Sequence, residues 1–472
     1  MLISKQLTFR ALAETTGLLL GAVSMIYISR VVGPEYIGFS AATSSVLMFI
    51  SRLADGGLTA LATQRLARDD DKLTDLLAIT IPPKLLVSAV LITLTLLITH
   101  LLHIDARLKY FITISVFMIL FEACTPAWAF IALGRINIAS AIRVGQSLLY
   151  AAAIFSLVHQ ASDWTYLPYL TLLNSFINFG MAAYFIAHYK LFSFHPDIFK
   201  HNYLSRLKSH YSEAVHFLKA ELSIYVYTSS DRLILYYFTS PFVVGIYDAA
   251  YKIVNPFYAI STVITPTMFR DLAQSFKQGR LHSVMAKYVF SMAFFTIPLG
   301  FFLLFFSKTV IHMLYGPAFE AGGTPLMILG FVITFGFTAG ITVLPFSAWN
   351  MSREYGNSIL WGNIINIILN FVLIPFFGAA GAALSVLAAK LTVNIVSYKY
   401  FKDATNYPII KDFAYFFTAA IIPLAVISIM ALIIHNAYML MMIFIATYLA
   451  LMFLFYRRYF GIAVSKYQRQ EY

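Results

Sequence analysis

Apolar segments of bilayer length follow one another from residue 9 to residue 456, and that succession sets the fold class before any motif is read. A helix needs roughly 20 apolar residues to cross the hydrocarbon core. About fourteen stretches of that kind can be marked, at 9–30, 36–63, 76–103, 109–133, 139–158, 164–188, 213–238, 244–270, 287–308, 322–348, 356–377, 381–401, 412–434 and 437–456. The chain is 60% hydrophobic and only 11% charged, where a soluble domain carries roughly 25% charged residues. An all-α integral membrane protein is therefore expected. Interior prolines (Pro126, Pro256, Pro266, Pro298, Pro345 and Pro423) do not veto these helices, because neighbouring helices and water re-satisfy the freed backbone groups. No cleavable signal is expected, since the first apolar stretch is a full span long and no small-residue cleavage site follows it. Cys124 is the single cysteine, so no intramolecular disulfide forms.

The basic residues orient the segments. One set of loops holds nearly all of them, from Lys5, Arg65 and Arg68 through Lys200, Arg206 and Lys208 to Arg457 and Arg458. The alternate loops hold Arg30, Arg107, Lys109 and Lys308. The positive-inside rule then places both termini in the cytoplasm. The formal charge of +12 is mostly a topological signal, and no nucleic-acid partner is implied. Every extracytoplasmic loop is short, which leaves no room for a soluble catalytic domain.

A phrase repeats along the chain. Pro34-Glu-Tyr-Ile-Gly38-Phe-Ser-Ala-Ala42 returns about 207 residues later as Pro241-Phe-Val-Val-Gly245-Ile-Tyr-Asp-Ala249-Ala250, and at the same offset Ala13-Glu14 aligns with Ala220-Glu221. The offset maps the first segment onto the seventh and the second onto the eighth. A duplicated membrane unit is the usual build of a secondary transporter, with its site between the halves. The expected organisation is a six-helix lobe over 1–188, a basic cytoplasmic linker over 189–212, and a second six-helix lobe over 213–401. Two additional helices and a cytoplasmic tail follow over 402–472. Both lobes start from the same side, so the repeat is parallel. In each copy the proline and glycine are expected to set a tight hairpin.

Arg30-Val-Val-Gly-Pro34-Glu-Tyr-Ile-Gly38 resembles a signature of bacterial polysaccharide-export flippases, the Wzx-type members of the MATE-like flippase superfamily. Thr228-Ser-Ser-Asp231-Arg232 followed by Val244-Gly-Ile-Tyr247 looks like that family's seventh and eighth helices. Pro126-Ala-Trp128 with Gly134-Arg135, Leu314-Tyr-Gly316, and Phe377-Gly-Ala-Ala-Gly381 also fit, in order along nearly the whole chain. One departure is Arg135, which stands where many of these proteins carry a glutamate. The resemblance implies a function. An undecaprenyl-pyrophosphate-linked oligosaccharide (an O-antigen, capsule or exopolysaccharide repeat) moves across the bacterial inner membrane by alternating access in a central cavity. It also implies coupling to H+ or Na+, with no other cofactor, and partners among membrane lipids, the polysaccharide polymerase and chain-length machinery.

Ionisable groups inside a bilayer are costly, about 2.5–3.5 kcal/mol each on insertion scales, and suggest function by default. Arg52, Lys84, Lys219, Arg232, Lys252 and Lys390 fall within the spans, as do Glu14, Asp55, Glu122, Glu221, Asp231 and Asp248. A pyrophosphate needs cations in a narrow, dry cleft. The basic residues are therefore candidate headgroup ligands. Asn363, Asn366 and Asn370 share one helix face and either bind sugar hydroxyls or bond to the next helix. Glu14, Asp55 and Glu122 are candidates for ion coupling, which requires a buried carboxylate. The bland readings stand beside these. Arg52 and Asp55 are three apart and Asp248 and Lys252 four apart, so each pair can close on its own helix. Lys84 and Lys219 can snorkel. Arg232 is read as interfacial, beside Asp231.

Three other activities compete. A lipid II flippase also has fourteen spans. A multidrug or cation antiporter of the same superfamily predicts an acid-rich cavity, against which Arg52 and Lys390 argue. An O-antigen polymerase or ligase is an enzyme of the same pathway and usually carries a long periplasmic loop, absent here. No metal-ligand spacing is found among the histidines of any one helix, and no catalytic Ser/His/Asp or carboxylate cluster appears, so a non-enzyme without a metal site is expected.

Overall fold

The computed structural model describes residues 5–191, 203–275, 280–405, 407, 409–434 and 436–450. Every regular element among them is helical. The chain divides into two compact units, Met1–Gly245 and Ile246–Tyr472. Eight helices or helix runs among the described residues are long and apolar enough to cross a membrane.

The first unit begins with α1 (Lys5–Val32), α2 (Pro34–Asp55), α3 (Leu58–Ala67) and α4 (Leu73–Leu101). The expected segment 36–63 is thus two helices. Gly56 (φ 62°) and Gly57 (φ 78°) both adopt left-handed backbone, which costs an L side chain roughly 1 kcal/mol or more. The segment 109–133 is likewise subdivided, into α5 (Ala106–Ser115), α6 (Met118–Cys124) and α7 (Ala127–Ala132), with Pro126 between the last two. Next come α8 (Ile136–Leu157), a 3-10 turn (Ala161–Tyr166), α9 (Leu167–His188) and α10 (Tyr203–Phe238). Trp128, Phe130, Ile142 and Ala182 form one buried cluster and Leu47, Val116 and Ile119 another. Both lie where helices meet, while Leu86, Leu97, Tyr184 and similar residues stay exposed, as side chains of a lipid-facing surface do.

The repeated phrase meets itself. Pro241 opens α11 (Pro241–Ser275) as Pro34 opens α2. A methyl group at Gly38 would run into the carbonyl of Pro241, and one at Gly245 would run into the carbonyl of Pro34. Each glycine therefore lies inside a helix, four residues past the proline. Its missing side chain lets two backbones touch, as small residues do at membrane helix crossings. This corrects the hairpin role expected for the glycines. The prolines do open helices, whereas the glycines serve packing.

The second unit contains the rest of α11, then α12 (Leu281–Tyr315), α13 (Gly323–Ala348), α14 (Ser352–Thr405), α15 (Ile409–Met430) and α16 (Ala437–Ala450). α14 runs through two expected segments, 356–377 and 381–401, with a kink at Gly378. Helices α12 and α13 touch at Gly300 and Gly330 and share the Thr334 hydroxyl, which donates to the Thr296 carbonyl at 3.0 Å. Thr342 and Ser397 hydroxyls join α13 to α14 at 2.6 Å. Small residues and hydroxyl bonds are the expected adhesive where lipid and core are equally apolar.

Candidate functional site

Four of the candidate residues converge in the first unit. A cavity of about 280 Å³ is lined by Arg52, Asp55, Lys84 and Glu122 together with Ser51, Thr59, Thr125, Trp128 and Asn178. Each reaches it through a local break or turn. α2 delivers Ser51, Arg52 and Asp55 on its last turn. The Gly56–Gly57 break then redirects the chain, and Asp55 caps the next helix by accepting from the Thr59 N–H at 3.2 Å. α4 delivers Lys84 just after Pro82-Pro83. α6 delivers Glu122, whose carboxylate closely accepts the Ser51 hydroxyl.

The charges pair differently from the sequence reading. Asp55 does not pair with Arg52 on its own helix. It binds Lys84, with Nζ 2.8 Å from Oδ1, and the same ammonium donates to the Thr59 hydroxyl at 2.9 Å. Lys84 is 4% exposed along its side chain and Asp55 14%, so Lys84 does not snorkel. The helix break is the physical reason, because it turns the Asp55 carboxylate from the axis of α2 toward α4. Arg52 reaches instead to Glu221 of α10, with Nη1 3.5 Å from Oε2 and side-chain exposures of 42% and 25%. That distance is well outside the 2.7–2.9 Å of a tight charge-assisted bond.

Glu221 was not singled out as a site residue from sequence. Its signals were its place among the acids inside the spans and its register with Glu14 in the repeat. Ser51, Thr59 and Asn178 carried none. A second charged cluster was also missed. The Arg65 guanidinium donates to both carboxylate oxygens of Glu213 at 2.8 and 2.7 Å and to Asp71 at 3.1 Å. His210 stands 3.1 Å from it. This network ties α3 to α10, around an arginine read from sequence as a topological charge.

The remaining candidates lie apart from this cavity. Lys219 is exposed on α10, Arg232 is half-buried beside the buried Asp231, and the side chain of Glu14 lies outside the described residues. In the second unit Lys252 pairs with Asp248 at 2.7 Å, one turn apart on α11 as the spacing allowed. Asn366 and Asn370 are fully buried, with the Asn370 amide directed to Asn366 Oδ1 at 3.4 Å, while Asn363 is half-buried. Lys390 is half-buried on α14, and its carbonyl accepts from Asn394 at 2.9 Å. Among the described residues no group of three or more His, Cys, Asp or Glu side chains could hold a metal ion.

A family described as "Polysaccharide biosynthesis protein" matches residues 3–271, more than half of the chain. The "Putative O-antigen transporter" of Escherichia coli (strain K12) is 20% identical over 411 residues, covering 85% of this chain and 97% of that one. The fold is that of a solved structure, "Lipid II flippase MurJ, inward closed conformation", with a TM-score of 0.75 at 16% identity, covering 95% of this chain and 99% of that one. An inward-facing multidrug resistance MATE family transporter follows at a TM-score of 0.57 and 13% identity, covering 82% of this chain and 96% of its own.

Proposed function

Because the chain belongs to the polysaccharide biosynthesis protein family, we propose that it is a flippase for a lipid-linked saccharide. The substrate is an undecaprenyl-pyrophosphate-linked oligosaccharide, moved across the bacterial inner membrane by alternating access. Fourteen spans with both termini in the cytoplasm complete this reading, and the Glu122 carboxylate in the cavity wall is its candidate for H+ or Na+ coupling.

The observation that carries the reading is Arg52. It is a cation set in an apolar helix, 42% exposed in a polar cavity and, among the described residues, held by a long contact to Glu221. A cation so loosely matched, beside low-dielectric walls, attracts a phosphoryl group more strongly than the same charge in water. A volume of about 280 Å³ lies at the lower edge of the roughly 300–1,000 Å³ of small-ligand pockets. It suits the headgroup and leaves the sugars and the lipid tail outside it. We assign the headgroup to Arg52 and a structural pair to Lys84 and Asp55.

Deletion of the gene, followed by rescue with wild type or Arg52→Ala and analysis of surface polysaccharide, tests the assignment. Loss of rescue by the variant at normal protein level is expected, and full rescue removes Arg52 from the site. A second reading has one observation in its favour: three carboxylates, Asp55, Glu122 and Glu221, surround two basic groups. A cation antiporter would use that excess. Binding of tetraphenylphosphonium in preference to pyrophosphate by the purified protein would select it.

A further inference from the structure

Two arginine–glutamate contacts run to the same helix, α10, and they differ in kind. One Arg65 nitrogen, Nη2, reaches both Glu213 carboxylate oxygens at 2.8 and 2.7 Å, the short distances of a charge-assisted contact. Eight residues on, Glu221 offers Arg52 a single contact at 3.5 Å. The first contact holds α10 against α3. The second is therefore not needed for docking, and its geometry leaves most of the Arg52 donor fork without a short bond among the described residues. A guanidinium presents five donors and favours planar oxyanions, carboxylate and phosphate alike. The Glu221 carboxylate thus occupies a place that a phosphoryl oxygen fits better.

We propose that Glu221 is a resident stand-in for the anionic headgroup, holding Arg52 in the substrate-free protein and yielding it to a phosphoryl group. This rests on the reading of the cavity as a headgroup site and adds a specificity rule to it. A monoanion carries no more charge than the carboxylate it must displace, so it gains nothing by exchange. A group with more than one negative charge does gain. Glu221 therefore excludes acetate- or chloride-like anions and admits pyrophosphate. It also keeps binding weak enough for release, since part of the attraction of Arg52 is always offset by the returning carboxylate.

The test uses the full-length protein in detergent, with inorganic pyrophosphate and acetate as probes at fixed ionic strength, read by the fluorescence of Trp128 in the cavity wall. Glu221→Gln is expected to bind pyrophosphate about fivefold more tightly, near the ceiling for an ion pair this exposed, and to acquire acetate binding that the wild type lacks. Glu221→Asp keeps the discrimination, and Glu221→Ala repeats the Gln result should the amide disturb α10. Glu35→Gln removes a carboxylate from the opposite end of α2, where it pairs with Arg107, and it should leave both affinities within about twofold, below the roughly fivefold limit of an exposed pair. An unchanged or weaker pyrophosphate affinity in both Glu221→Gln and Glu221→Ala overturns the proposal. So does an equal gain in Glu35→Gln, which would mean a general charge effect. Absence of pyrophosphate binding by the wild type and every variant removes the headgroup reading itself, and the proposal with it.

Discussion

Lys84 and Arg52 line one cavity, yet the protein treats them oppositely. Lys84 is buried to 4% exposure, 2.8 Å from Asp55, and shares the Thr59 hydroxyl. Arg52 is ten times as exposed and 3.5 Å from its partner. A buried ion pair is held in place less by its net attraction than by the penalty for leaving either member alone. An exposed pair is worth little and exchanges easily. Proximity to a candidate site therefore does not make two cations equivalent. One maintains the break between α2 and α3, and the other is available to a ligand.

Lys84→Met should have the largest effect, because it strands the Asp55 carboxylate in the protein interior. A loss of about 3–5 kcal/mol is expected, seen as a fall in melting temperature and in monodisperse yield after detergent extraction. Lys84→Met combined with Asp55→Asn should recover most of it, and failure to recover would break the contrast by making Lys84 more than a counter-ion.

Gly57→Ala comes next. Its φ of 78° strains any L side chain, and the added methyl would meet the backbone of α10 at Ala214 and Leu218. About 2 kcal/mol is expected from strain of that kind, with no matching loss for Gly21→Ala, whose surroundings within 4 Å are empty. Thermal melts of the two variants side by side settle the point.

Thr59→Val removes the hydroxyl shared by Asp55 and Lys84 and should cost about 1–1.5 kcal/mol, with Thr59→Ser close to wild type in the same melts. The smallest stability effect belongs to Arg52→Gln, at most about 1 kcal/mol by melting. A larger loss would place Arg52 with Lys84 as a structural residue and erase the difference between them.

Much of this was legible in the sequence, for a physical reason. Arg52, Asp55, Lys84 and Glu122 stood out because ionisable groups inside apolar segments are rare. Which charge answers which was not legible. Spacing on α2 favoured Arg52 with Asp55, and only the left-handed Gly56–Gly57 break explains why Asp55 turns to Lys84. Glu221 shows the same limit. Its register in the duplication was visible, but its reach to Arg52 depends on how α10 crosses α2. The repeated proline–glycine phrase marked two helix starts, at Pro34 and Pro241, and misstated the glycine. Close approach of Gly38 to Pro241, some 200 residues away, leaves no local trace.

The most direct test of the account is a pyrophosphate titration of two purified variants, Arg52→Gln and the double variant Lys84→Met/Asp55→Asn. The account predicts that the double variant binds within about threefold of wild type, since an exchanged buried pair is close to neutral, whereas Arg52→Gln loses binding altogether. Retained binding in Arg52→Gln, with loss in the double variant, would contradict it.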